Sequence, residues 1–444
     1  MSSIERRRPH AFALAASVFA IAFIAQLPIV LNPGYFSHDE LQWAVFAENG
    51  QRVGWTAIDV FQYRPLTFNL WMWLSRHLFA HPQAFHAVLV AWGSLNAALL
   101  FAVGRGFGLD ARPAALGALA FALGPYAVYV HGWIGTLADL IWLGCALLIV
   151  LAVQRSRSVV VAIAAAALLT TAGLLAKEAA FAIPPLLAVA WWLDGRKRYW
   201  AAATLASGAI AAAYLAMRYG VLLHAPRDGG QQYVPSLANM PLRWIEYQLF
   251  PPIFPLVEAH TTFIRGIGAP ILVAGLLWLG LLAAIARAGW RHAAVFLVGG
   301  LAALLPVLPM GGSANQYAYA FAAVASMGVA AAWSQAPRWG RIAIALFALL
   351  NLLHGINVMR VVRQVGEVQA IFSPALAQAV RGATEATPVR LSLGPGSREW
   401  MFQRLTHDIP SYQGVPVGKR VQLVPAGAPA DYMIQPDGRL QPLR

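Results

Sequence analysis

The stretch SVVVAIAAAALLTTAGLLAKEAAFAIPPLLAVAWWL, residues 158–193, holds one adjacent ionisable pair, Lys177 and Glu178, between two apolar runs. The first run has the length that crosses a bilayer as a helix, and the second returns after a polar hinge. The rest of the chain repeats this pattern. Of its 444 residues 59% are hydrophobic and 11% charged, and the mean hydropathy is +0.59. Such a composition excludes an ordinary soluble domain and predicts an all-α polytopic membrane protein.

About eleven spans are expected from apolar windows, near 11–31, 84–103, 113–130, 136–153, 158–176, 179–193, 200–218, 269–286, 293–309, 317–335 and 341–358. The first, preceded by Arg6, Arg7 and Arg8, is too long for the core of a cleaved signal peptide and is read as a retained helix. Net charge is +14, but the arginines cluster in short loops: Arg105 and Arg112, Arg155 and Arg157, Arg196 to Arg198, Arg287 and Arg291, Arg338 and Arg341. That is the signature of cytoplasmic loops and not of a nucleic-acid surface, so no nucleic-acid partner is expected. The lone Cys145 excludes an intrachain disulfide.

With the N-terminus cytoplasmic, three long polar regions fall on the outer face: 32–82, 219–268 and the tail from 360. Connections of this length are uncommon without a function. The division expected is a transmembrane catalytic domain over 1–360 and a periplasmic or extracellular module over 361–444. Alternation in 388–393, 421–424 and 432–434 makes that module a small α+β unit.

The first outer region opens with Phe36-Ser37-His38-Asp39-Glu40. Two adjacent carboxylates at a membrane surface suit acid–base chemistry on a lipid-linked group. They equally suit a helix N-terminus, with Ser37 or Asp39 capping and Glu40 in the first turn. An interfacial helix is expected here, with Leu41, Ala44, Val45 and Phe46 on the membrane and Glu40, Gln42 and Glu48 in water. Trp55, Trp71 and Trp73 fit an aromatic belt.

Ionisable residues in or beside spans are costly unless paired or turned to a water-filled cavity. Asp139, Lys177, Glu178 and Arg218 all fall near the outer face in this orientation. Asp139 reads as a helix cap or a site residue. Lys177 and Glu178 read as a snorkelling hairpin or a phosphate contact, and Arg218 as an interfacial anchor or a ligand contact. Arg64, in Gln62-Tyr63-Arg64-Pro65-Leu66, carries a donor fork that matches phosphate oxygens, though a loop arginine is usually only solvated. His38, His77, His81, His86, His131 and His260 lack zinc spacing, while Asp39 and Glu40 offer oxygen ligands to a divalent cation that nothing requires.

The order of these motifs resembles the GT-C superfamily of membrane glycosyltransferases, in its protein O-mannosyltransferase-like, polyprenyl-phosphate-sugar-dependent branch. The likeness rests on Asp39-Glu40, the Tyr63-Arg64-Pro65-Leu66 box, Phe121 to Pro125, Asp139, Leu175-Ala176-Lys177-Glu178 with Pro184-Pro185, Tyr214 to Tyr219, Leu249-Phe250-Pro251 and Asn315 to Tyr319. At the last, Gln316 stands where the branch carries a basic residue, which removes a phosphate contact there. The resemblance covers about the first 360 residues and not the tail. It implies a GT-C fold and an inner-membrane enzyme that moves a sugar from a polyprenyl-phosphate donor to a hydroxyl of an envelope protein, lipid or glycan. The transfer inverts the anomeric carbon on the outer face.

The resemblance further implies Asp39 as the base. It implies Asp139 as a second acid that orients the acceptor or a basic residue, Arg64, Lys177 and Arg218 as stabilisers of the leaving phosphate, and Tyr63 and Glu178 beside them. Glu40 holds an interfacial helix or shares a cation. The tail is expected to recognise the acceptor, so that its deletion alters acceptor choice and spares donor binding. A transporter or flippase would show two matching halves with interrupted helices, and an O-antigen ligase or polymerase would put its acids in a late outer loop. Here the acids come early.

Overall fold

The computed structural model describes residues 3–223, 234–253, 268–384, 387–406, 409–425 and 427–443. Parts of the second long polar region, with His260, lie outside the described residues. The chain is mostly helical. It begins with α1 (Ser3–Ala25), α2 (Leu27–Val30), α3 (His38–Glu48), α4 (Pro65–Leu78), α5 (Pro82–Gly106), α6 (Ala111–Ala122) and α7 (Pro125–Gly132). It continues with α8 (Leu137–Ser156), α9 (Val159–Ala176), α10 (Ile183–Leu193), α11 (Arg198–Leu223), α12 (Met240–Leu249) and α13 (Ala269–Ala288). The series closes with α14 (Trp290–Ala294), α15 (Gly300–Leu304), α16 (Tyr319–Ala332), α17 (Arg338–Gly382) and α18 (Glu399–Thr406).

Several of these helices start at a proline in the first turn, where a missing N–H costs nothing: Pro65, Pro82, Pro125 and Pro184. Among the described residues, six helices are long and apolar enough to cross a membrane, and a seventh crossing forms if α6 and α7, bent by 55° at Leu123-Gly124, count as one. Of the other four expected spans, the first corresponds to α1, of which Phe12–Ala25 is apolar over the described residues, and the rest are shorter apolar helices: Glu178–Leu193, Trp290–Leu304 and α16. Summed hydropathy alone does not tell a crossing helix from a shorter one that buries its apolar face against neighbours, and the expected eleven is not matched by length among the described residues.

The break between α6 and α7 is packed and not loose. A methyl on Gly355 of α17 would meet the Leu123 carbonyl oxygen at 1.9 Å, so α17 lies directly against the bend. Helix α17 runs unbroken through residue 360, where the two-domain division was expected, and at 1.5 Å per residue extends about 68 Å, roughly twice a hydrocarbon core. Its far half carries the C-terminal module.

That module is a four-stranded sheet in the order β4-β1-β5-β6, built from β1 (Val389–Leu393), β4 (Val421–Leu423), β5 (Tyr432–Ile434) and β6 (Leu440–Pro442). Strand β1 pairs parallel with β4 and β5, and β5 antiparallel with β6, with a separate hairpin of β2 (Ser411–Tyr412) and β3 (Val415–Pro416). The three alternating stretches read from the sequence are β1, β4 and β5. Phe402 and Leu405 of α18 are buried in the same core as Val362, Phe372 and the early helices. The module therefore shares its core with the bundle.

Candidate functional site

Helix α3 carries the acid pair in its first turn. Ser37 takes the N-cap position in extended backbone, but its side chain caps nothing and instead bonds Asp39 Oδ2 at 3.4 Å. Asp39 also faces His38 Nε2 at 3.4 Å, and its side chain keeps 27% exposure. Glu40 is 1% exposed, which corrects the expectation that it faces water. The reason is periodicity: Glu40, Ala44 and Ala47 share one helical face, which is buried, while Glu48 is exposed. Trp71, expected in a surface belt, is likewise buried and stacks on Trp43 at 4.7 Å, whereas Trp55 and Trp73 are exposed.

Among the described residues neither Glu40 carboxyl oxygen has a hydrogen-bond partner of ordinary geometry. Burial pushes this acid up to about 8, the neighbouring Asp39 charge adds to it, and nearby backbone N–H groups and the Arg404 guanidinium oppose it only in part. Burial thus favours the proton-bearing, neutral form of Glu40.

The approach to α3 is pinned from the other end of the sequence. Asn32 Nδ2 donates to the Val362 carbonyl at 3.2 Å, and the Tyr35 N–H to Gln369 Oε1 at 2.8 Å. Tyr35 stacks on Phe79 with centroids 4.6 Å apart, and burial raises its hydroxyl far above the usual range. Arg404 of α18 lies over the Phe36 ring at 4.6 Å and over Trp133 at 4.8 Å.

A second group gathers behind the 3-10 turn Ile134–Thr136. Lys177 Nζ donates to Asp139 Oδ2 at 2.6 Å, with side chains 7% and 1% exposed, and Trp142 Nε1 donates to Asp139 Oδ1 at 3.2 Å. Lys177 also lies 5.0 Å from the centre of the Tyr317 ring. Asp139 is in the first turn of α8, but its carboxylate pairs with the lysine and does not cap. Lys177 leaves α9 in extended backbone, the break read from the Lys177-Glu178 pair.

Next to it, Glu178 accepts from Arg64 Nε at 2.8 Å and from Arg218 Nη1 at 3.3 Å. Arg64 is 21% and Glu178 19% exposed. Arg218 is fully buried: it donates to the carbonyls of Ile58, Val60 and Phe61 at 3.1, 2.6 and 2.9 Å and to the Tyr214 hydroxyl at 2.8 Å. Tyr63, 5.3 Å below the Arg218 guanidinium, donates its hydroxyl to the Trp55 carbonyl. Arg218 and Tyr63 thus hold the loop between α3 and α4, while Arg64 and Lys177 are each paired with a carboxylate, Glu178 and Asp139.

Asp39 and Glu40 form one group, and Asp139, Lys177, Glu178, Arg64, Arg218 and Tyr63 form the other. Both border the turn between α7 and α8. Among the described residues no three His, Cys, Asp or Glu side chains come together as a metal site. Sequence reasoning missed Trp133 and Arg404. It also missed a buried polar knot under the later loops, in which Arg243 Nη1 meets Glu246 Oε2 at 2.5 Å and Ser313 donates to the same carboxylate at 2.6 Å.

No protein-family model and no curated protein matches the chain. Three chains among solved structures match. One is the Archaeoglobus fulgidus oligosaccharyltransferase, crystallised tethered by a disulfide to an acceptor peptide containing the NVT sequon. It is 14% identical with a TM-score of 0.46, and the alignment covers 86% of this chain and 61% of that one. The chain therefore spans less than two thirds of that protein's length.

Proposed function

We propose that the chain is a membrane glycosyltransferase that moves a sugar from a polyprenyl-phosphate donor to a hydroxyl of an envelope acceptor. One observation carries this reading. Of the four acids, Asp139 is paired with Lys177, Glu178 holds two arginines and Glu40 is sealed in the core. Asp39 alone combines accessibility with the absence of a Lys or Arg partner among the described residues. A general base has to reach solvent-borne substrate without being tied to a strong cation, and Asp39 meets both conditions.

In this reading the acceptor O–H proton passes to the Asp39 carboxylate as the oxygen attacks the anomeric carbon. The bond from that carbon to the phosphate oxygen breaks on the opposite side, and its electron pair leaves on the phosphate. Attack opposite the leaving group inverts the centre. Arg64 and Lys177 meet the charge that develops on the phosphate. Asp139 orients Lys177, and Arg218 with Tyr63 holds the loop that bears Arg64. The acids and the carrier phosphate lie on the outer face of the plasma membrane.

The test is transfer of radiolabelled sugar from polyprenyl-phosphate sugars, in membranes holding equal amounts of native protein or Asp39→Asn. The expected result is loss of transfer with donor binding kept. Undiminished transfer by the variant would remove Asp39 from the role and turn attention to Asp139.

A further inference from the structure

The two acid-bearing elements are joined by a residue that belongs to neither. Phe36 lies three positions before Asp39, and Trp133 six before Asp139. Their rings stand 6.2 Å apart at 61°, open as a V, and the Arg404 guanidinium fills it, 4.6 Å from one centroid and 4.8 Å from the other. A planar cation between two ring faces is attracted to both, and the attraction grows as water is excluded. Arg404 Nε is buried and has no hydrogen-bond partner among the described residues, so the rings hold that side of the group. Around it Met401, Phe402 and Leu405 anchor α18 in the core, which fixes the arginine from behind.

We propose that Arg404 is a positioning residue, by which the C-terminal module sets the separation of the Asp39 and Asp139 elements. A wedge of this kind acts on both sides at once. If it is removed, Phe36 and Trp133 are free to close on each other, and the first turn of α3 shifts relative to the Lys177 group. Displacement of a reacting group by about 1 Å costs up to roughly 10²-fold in rate even when every catalytic side chain is present. Tyr129, buried at 5.6 Å from both rings, backs the V and keeps it from opening the other way. The role of Arg404 in turnover rests on the transferase reading, whereas its hold on α3 does not.

The experiment therefore has two readouts, on full-length native protein, Arg404→Ala, Arg404→Lys, Trp133→Leu and the double variant Arg404→Ala/Trp133→Leu. Amide hydrogen exchange across His38–Glu48 is expected to rise about tenfold in Arg404→Ala and in Trp133→Leu, and no further in the double variant, since each removes the same wedge. Exchange that is unchanged, or losses that add in the double variant, would overturn the proposal. In the transfer assay kcat is expected to fall roughly 10- to 100-fold at unchanged donor KM, with partial recovery in Arg404→Lys, which restores charge without the planar fork. Full transfer by Arg404→Ala would also overturn it. Native protein that transfers no sugar would count against the transferase reading alone, because the exchange measurement still decides the wedge.

Discussion

Glu40→Gln is the substitution whose effect follows most directly from the geometry. The native acid is fully buried without a partner of good geometry, and burial holds it at about 8 against an ordinary 4.5. At pH 7 it therefore carries a proton in the folded protein and none in the unfolded chain. Taking up that proton on folding costs about 3 kcal/mol at pH 7, from 1.36 kcal/mol for each pH unit above the ordinary value. The sign follows from proton binding. The folded state binds more protons than the unfolded state between 4.5 and 8, so stability is highest below that window, falls by about 1.4 kcal/mol per pH unit through it, and levels off above it.

Glutamine keeps the shape and has no proton to gain. Unfolding followed by tryptophan fluorescence in detergent, from pH 5 to pH 9, is expected to show a native midpoint that drops by several degrees across the range. The difference between native and Glu40→Gln should be small at pH 5, about 3 kcal/mol in favour of the variant at pH 7, and largest above pH 8. Because Arg404 opposes the shift, Arg404→Ala should extend the native descent to higher pH. Parallel pH dependences for native protein and Glu40→Gln would mean that Glu40 is ionised in the fold, and the reasoning would fail.

Asp139→Asn leaves Lys177 buried opposite a neutral group 2.6 Å away, which should cost about 3–5 kcal/mol and lower the monodisperse fraction on size exclusion, while Asp139→Leu with Lys177→Met should recover most of it. A normal yield of Asp139→Asn would count against that pair. Gly366→Ala sets a methyl 1.9 Å from Asn32 Oδ1 and should cost about 1–3 kcal/mol, read as a lower thermal midpoint. Asn32→Ala in the same chain should relieve it. An unchanged midpoint in Gly366→Ala would refute the close approach of α17 to the lead-in of α3.

What the sequence discloses here is what lies in local periodicity and in charge placed against an apolar background. Lys177 and Glu178 interrupt an apolar run, and the helix does break there, because no continuous helix would carry both at that depth cheaply. Strands β1, β4 and β5 follow from alternation. Glu40 was misread because an interfacial helix has two surfaces to satisfy, the membrane and the protein. Its spacing with Ala44 and Ala47 assigned it to the protein face, a pattern as visible as the one with Leu41 and Ala44. Arg404 left no signal of that kind. Its role depends on a ring pair more than 270 residues upstream, and only the fold brings them together. The nearest hint is an arginine flanked by Met401, Phe402 and Leu405, on the edge of an apolar face.

The same long-range contacts bear on what the tail does. A module that hung above the site to recognise an acceptor could be removed without moving Asp39. Yet the segment that leads into α3 is held by Val362 and Gln369, and its Gly34 and the facing Gly366 are small because the two backbones nearly touch. Val362, Val365, Phe372 and Leu376 fill the core beside Tyr35 and Phe36. A chain cut after residue 360 would expose that apolar face, at about 25 cal/mol per Å², and would free the lead-in as well as the wedge at Arg404. The first polar loop is thus held in place by the far half of α17, so a truncation after residue 360 would disturb the lead-in to Asp39 as well as remove the module. Substitutions on the exposed surface of the module, at Arg398 or Glu399 for instance, are the cleaner way to divide the two.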